Sequence, residues 1–276
     1  MNSRIQIITC EGVNQGFRAQ IGTWVNEVLA KAQPLSDIRV TIWATTEELK
    51  SFYQRERQEL GIIAGEETDF LATHEAWRGY PRIHICQERL RGIPDVVIQG
   101  AIHHETAHAL HHCSPEYYTF LFSKNLQDKA RSIGFDLATL QQCVYLLSVA
   151  IKDGDVVQWL AEIELSAGQL SLLQYLIADV EEERQVWEMV CDSPVLNRLV
   201  SAALLKTLIP IETLVLAGIE LAQVLKDQWN EAYGWLSEDE RKLLSQLARD
   251  ILRIVGETFQ ERLEKASLRL ITDAFP

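Results

Sequence analysis

Five of the seven histidines stand within ten residues, in the stretch AIHHETAHALHH from Ala101 to His112. Inside it lies His104-Glu105-Thr106-Ala107-His108, an HExxH pattern. On a helix, His104 and His108 are one turn apart on one face and can hold one zinc ion through their imidazoles. Glu105 leans toward the same side and can reach a metal-bound water without being a ligand. Zinc makes that water acidic near neutrality, and the carboxylate takes its proton and later delivers it to a leaving amine. The expected chemistry is zinc-assisted hydrolysis, with His104 and His108 as ligands, Glu105 as catalytic base and Zn2+ as cofactor. The plainer reading is a solvated, histidine-rich helix end, where histidine suits the helix dipole. Spacing and context weigh against it: Val97 and Ala101 share the helix face, and a short strand precedes the helix.

The elements that must position this segment are legible in outline. Phe17 to Lys31 carries a helical stripe of Ile21, Trp24, Val25, Val28 and Leu29, ending before Pro34. Asp37 to Ala44 alternates and is rich in β-branched residues, which predicts a strand. Thr45-Thr46-Glu47-Glu48 reads as a capping box opening a helix to about Leu60. Gly61 to Tyr80, with Gly61, Gly65 and Gly79, reads as a loop. Pro81 to Cys86 is a second short strand, and Pro94-Asp95 opens the helix that runs to about His112. Ser114-Pro115 starts another helix, since proline favours the first helical position. Everything beyond Pro115 reads as helical, with starts marked by Ser193-Pro194 and by Ser237 with Glu240.

Composition bounds the setting. The chain has 276 residues, 47% of them apolar, enough for an ordinary buried core in one large domain or two small ones. Acidic residues outnumber basic ones 39 to 26, for a net charge of −13. So negative a surface repels phosphate backbones and anionic lipid, which argues against nucleic acid or a membrane surface as partner. The five cysteines are scattered, with no CxxC pair, and fit reduced thiols in a cytoplasm. Met1 to Glu11 lacks the apolar core of a signal peptide. Leu199 to Leu225, the most apolar stretch, is broken by Lys206, Pro210, Glu212 and Glu220, which speaks against a membrane span.

Strand, turn and a helix bearing HExxH, in PRIHICQERLRGIPDVVIQGAIHHETAHALHH from Pro81 to His112, resemble the zincin metallopeptidases. The resemblance implies a small sheet beside the active-site helix, with Ile83 to Cys86 as the edge strand on which a peptide substrate lies. It covers about a third of the chain, and only HExxH within it is highly specific. The metzincin extension HExxHxxGxxH is excluded, because His111 and Ser114 occupy its glycine and last histidine positions.

Three protein ligands plus a water is the usual catalytic arrangement. His112 continues the face of His104 and His108 but lies eight residues from His104, about 12 Å along a helix. Both cannot bind one ion, so His111 and His112 read as substrate contacts, supports of the ligands or plain surface. A gluzincin-like carboxylate from a later helix is then expected. In LLQYLIADVEEERQVWEMV, read as one helix, Glu183 falls inside the stripe of Leu172, Leu173, Leu176, Ile177, Val180, Trp187 and Val190. Asp179 falls at its edge, and Glu182, the alternative ligand, on the opposite face. A carboxylate in an apolar stripe is costly unless paired or metal-bound, so Glu183 is the expected third ligand. Glu162, Glu164 and Glu116 are its rivals. Cys113 reads as inert, and Tyr117, Tyr118 and Tyr175 are all able to serve an oxyanion.

The expectation is thus an α+β protein: a zincin-like catalytic domain over residues 1–192, then a helical C-terminal region over 193–276. Its function would be zinc-dependent peptide-bond hydrolysis in the cytoplasm, with a peptide or protein substrate. The rival readings are a zinc hydrolase of another amide and a non-catalytic metal-binding or regulatory module.

Overall fold

Short β-branched runs and well-capped helices build an α+β chain. The computed structural model describes residues 5–32, 37–61 and 70–273, with eleven helices and one four-stranded mixed sheet among them. Pro34 and Gly65, read as breakers from sequence, lie outside the described residues. The chain divides into two compact units, residues 1–118 and 119–276.

The first unit holds the sheet. Its strands are β1 (Ile5–Thr9), β2 (Ile38–Trp43), β3 (Ala72–Glu75) and β4 (Arg82–Cys86), in the order β1-β2-β4-β3. β1, β2 and β4 run parallel, and β3 pairs antiparallel with β4. Three helices belong with it: α1 (Gln15–Leu29), α2 (Thr46–Leu60) and α3 (Asp95–His111). The expected Thr45 capping box opens α2, with the Thr45 side chain accepting from Glu48 N and the Glu48 carboxylate accepting from Thr45 N. Gly61 closes that helix at φ 65°, a left-handed position that suits glycine.

Strand periodicity sorts the side chains. Ile7, Val40, Ile83 and His74 share one face through the pairing register. On it, a Cβ at Gly22 of α1 would lie 3.4 Å from Ile7 Cδ1, so α1 covers this side. The opposite face carries Trp43 and Cys86, which cluster with Leu49, Phe52 and Tyr53 of α2.

Two expectations need correction here. Residues 61–80 are not all loop, because Ala72–Glu75 forms β3. ATHE is too short and polar to announce itself, and its strand character comes from pairing with β4. Consequently Ile83 to Cys86 is not the sheet edge: β4 is paired on both sides, and β3 is the edge beside it. β1 was also not expected, although Ile5, Ile7 and Thr9 alternate with more exposed residues as a strand should.

A buried ionic network ties β3 to β4 and α2. Arg82 donates to both Glu56 carboxylate oxygens, at 2.7 and 2.8 Å, and pairs with Glu75. His84 lies between Trp43, whose Nε1–H donates to its Nδ1 at 3.2 Å, and Glu75, 3.1 Å from its Nε2. With Nδ1 accepting, the ring proton sits on Nε2 and donates to Glu75.

The second unit is helical: α4 (Lys124–Ser132), α5 (Leu137–Glu162), α6 (Ser166–Leu176), α7 (Glu181–Val190), α8 (Pro194–Leu216), α9 (Ala222–Ala232), α10 (Glu238–Leu252) and α11 (Phe259–Asp273). The predicted starts at Ser193-Pro194 and Ser237 are present, the second as a complete capping box. Ser114-Pro115 opens only a 3-10 turn, Pro115–Tyr117, in the first unit. The expected division near residue 192 is displaced to 118/119, because Trp187 of α7 and Leu205 and Leu208 of α8 share one core. α8 runs through Lys206 and Pro210, and is long and apolar enough to cross a membrane. Of its most apolar window, 67% is buried inside the protein. Glu212 within it is fully buried but paired with Lys226 at 3.0 Å and Arg249 at 2.8 Å.

α5 and α8 approach closely at Gly154, where an added Cβ would lie 2.8 Å from Ile209 Cγ2. Gly154→Ala should therefore lower thermal stability. Overpacking costs about 1–3 kcal/mol, against a helix-propensity gain of at most about 1 kcal/mol. A raised melting temperature would show that the two helices can separate without loss.

Candidate metal centre

α3 is a helix buried on most sides. Val97, Ile98, Ala101, Ile102, Ala107 and Ala109 are all in the core, and Asp95 at its start suits its dipole. His103 is buried and faces Glu27 of α1 at 2.8 Å, which fastens α3 to α1. Burial lowers the His103 pKa, and Glu27 only partly opposes it.

One helical turn brings His104 and His108 together as expected. Their Nε2 atoms are 3.0 Å apart and their rings stand at 73°. Two nitrogens bound to one tetrahedral zinc at about 2.0–2.1 Å lie about 3.3 Å from each other. The pair is therefore near the span that a shared ion requires. His108 is buried at 2% exposure while His104 is half-buried, so a metal there is reached from the His104 side.

Glu105 meets a residue that sequence reading passed over. His74 Nδ1, on the edge strand β3, lies 2.7 Å from Glu105 Oε2. The two side chains are only 10% and 15% exposed. Strand alternation puts His74 on the α3 face and Glu75 on the α2 face, so one short strand serves both the site and the ionic network. Nothing local marks His74, since it is 31 residues from Glu105 and its neighbours do not alternate strongly in polarity.

Ligand atoms of His74, Glu105 and His108 also lie within 4.8 Å of one another. Ring orientation argues against that trio as a ligand set. The His74 and His108 rings are stacked, 4.1 Å between centroids and 4° from parallel. Imidazole lone pairs lie in the ring plane, so two parallel rings in van der Waals contact cannot both aim at one ion. His74 is placed to hold Glu105, and His104 with His108 could hold a metal.

The end of α3 adds two groups. His112 is buried, and its Nδ1 lies 2.9 Å from His108 Nδ1. His111 is exposed, so the two terminal histidines separate into one support and one surface residue. The Tyr118 ring lies 6.0 Å from that of His74, and the Tyr117 ring 4.8 Å from that of His112. Burial pushes the Tyr118 hydroxyl pKa well up, and the Glu105 and Glu75 charges add to this, so the phenol stays neutral and a donor. It donates to the His112 carbonyl at 3.2 Å. Tyr175 is exposed on α6 of the second unit.

The helix on which Glu183 was expected to serve as third ligand is broken. Leu172 to Val190 is not one helix: α6 ends at Leu176 and α7 begins at Glu181. A wheel drawn across that break has no meaning, and Leu176 of the supposed stripe is 45% exposed. Glu183 is half-buried in the first turn of α7, with its charge felt at Tyr233 of the same unit. Glu181, Glu182 and Glu183 together suit the positive end of the helix dipole. Glu182 and Asp179 are exposed, and Arg184 pairs with Glu181, holding that carboxyl down at about 2. Glu162 and Glu164 are exposed around the end of α5, and Glu116 in the 3-10 turn.

Neither a protein-family model, nor a curated protein, nor a solved structure matches this chain. Its site stands on its own geometry.

Proposed function

We propose that the first unit is a zinc-dependent hydrolase of peptide bonds, of the zincin type. The observation that carries this reading is the convergence of His104 and His108 at 3.0 Å on the helix turn that also presents Glu105. The donor set fits zinc: two imidazole nitrogens, one of them on a deeply buried residue, beside a carboxylate whose Oε2 is engaged by His74. His104 and His108 would supply two of the protein ligands. When bound, zinc polarises a carbonyl and makes water acidic enough to attack near neutral pH.

The chain's own residues then have distinct tasks. Glu105 accepts the proton of the attacking water on one carboxylate oxygen and returns it to the leaving amine. His74, by holding Oε2, restricts how that carboxylate turns. Tyr118 keeps its hydroxyl proton and spends it on the His112 carbonyl, so its task is to hold the end of α3. Beside these groups runs β3, a sheet edge antiparallel to its neighbour, along which an extended peptide can pair through its backbone.

A mixed library of quenched fluorescent peptides tests this. Cleavage should be abolished by a zinc chelator and restored by stoichiometric zinc. Cleavage that persists in full after metal removal would overturn the zinc reading, and no cleavage of any peptide by zinc-loaded protein would overturn the peptidase reading.

A further inference from the structure

Zinc binding imposes a demand on His108 that a neighbour in the site meets. A neutral imidazole carries one ring proton, so if Nε2 gives its lone pair to a metal, Nδ1 must hold the proton. The Nδ1–H then needs an acceptor, since His108 is 2% exposed and a buried donor without one is costly. The atom at hydrogen-bond distance from it is Nδ1 of His112, at 2.9 Å.

His112 is built to stay there. It lies one turn beyond His108 and caps α3, leaving helical geometry at φ −116° and ψ 43°, while its backbone N–H still donates to the His108 carbonyl at 2.7 Å. Its ring is 2% exposed and meets the edge of Tyr117, 4.8 Å between centroids and 65° between planes. Its carbonyl takes the Tyr118 hydroxyl. The 3-10 turn Pro115–Tyr117 thus brings a ring against the histidine, and Tyr118 holds its backbone carbonyl.

We propose that His112 is a positioning residue for the metal pair: its Nδ1 accepts the His108 Nδ1–H and so presents the His108 Nε2 lone pair to the ion. This rests on the zinc reading of the site and adds to it the group that fixes one ligand's tautomer. The three histidines then form a ladder at successive turns, in which the last cannot reach the ion and acts through the second. Partners of this kind, when removed from metal-ligating histidines, cost about 10- to 100-fold in metal affinity.

The test compares wild type, His112→Leu and His112→Asn. The asparagine side-chain oxygen can stand near the position of Nδ1 and accept the same bond, while leucine fills the space without accepting. Zinc affinity, read by competition with a chromogenic chelator, should fall about 10- to 100-fold in His112→Leu and stay within about threefold of wild type in His112→Asn. Equal affinity in all three proteins, or equal loss in both variants, would overturn the proposal.

Long-range proton–nitrogen spectra of the metal-free proteins provide the second readout. The His108 ring should be protonated on Nδ1 in wild type and His112→Asn, and should shift toward Nε2 protonation in His112→Leu. A wild-type His108 protonated on Nε2 would overturn the proposal. If wild type shows the Nδ1–H form but binds no zinc, the zinc reading fails while the His112 assignment stands.

Discussion

Glu105→Gln should leave the zinc content of the protein unchanged and lower peptide hydrolysis by about 10²–10⁴-fold, the usual worth of a positioned acid–base group. The substitution is nearly isosteric. A glutamine can keep the contact with His74 at Oε2, now through its amide, but cannot accept a proton from water. A ligand role predicts something different, namely loss of metal together with activity. His74→Phe should turn over at a rate between those of wild type and Glu105→Gln: the stacked ring against His108 is kept, the 2.7 Å bond to Glu105 is lost, and zinc remains. Turnover before and after zinc loading, with metal content measured on the same samples, separates these outcomes. An unchanged rate in Glu105→Gln would remove Glu105 from the mechanism.

Arg82→Leu should destabilise the sheet by about 3–5 kcal/mol, because it removes the cation shared by two buried carboxylates and leaves Arg78 to Glu56 and the neutral His84 ring to Glu75. Both glutamates are at or below 5% exposure. Burial alone would raise the Glu56 carboxyl pKa, but the Arg82 and Arg78 hydrogen bonds outweigh it and hold it below its ordinary 4.5. Its stabilising contribution is therefore present above pH 4.5 and is lost as pH falls through the lowered folded value. Hydrogen exchange reads this directly. Peptides covering β3 and β4 should lose protection by about 10²-fold or more in the variant, and peptides from α8 should not. Because Glu75 neighbours His74 on the same strand, the loss should also loosen the His74–Glu105 contact. Protection unchanged in β3 would mean that the network contributes little. The exposed Arg131–Asp128 pair makes a fair control, since solvent already screens it and Arg131→Leu should be nearly silent.

The parts of the fold that were legible in the sequence carry their signal locally. Thr45 with Glu48 and Ser237 with Glu240 are capping boxes, and both open helices where expected. His104, Glu105 and His108 are a motif whose geometry follows from the helical repeat alone. What stayed hidden depends on distant partners. His74 acquires meaning only when β3 pairs with β4 and turns it toward α3. His112 could be excluded as a ligand by distance, but its contact with His108 depends on how the chain leaves the helix. The Glu183 argument failed for a related reason: a helical wheel assumes an unbroken helix, and residues 177–180 interrupt this one. Similarly, Lys206, Pro210 and Glu212 read as interruptions of an apolar run, whereas α8 absorbs all three. Glu212 fits because Lys226 and Arg249 reach it from α9 and α10.

Metal content measured on chelator-free protein is the most direct test of the central claim. Elemental analysis should find about one zinc per chain in wild type, and a severe loss in His104→Ala and His108→Ala, each of which removes one converging nitrogen. His111→Ala, an exposed neighbour in the same segment, should keep its zinc. Wild type without zinc, or equal zinc in wild type and His108→Ala, would contradict the account.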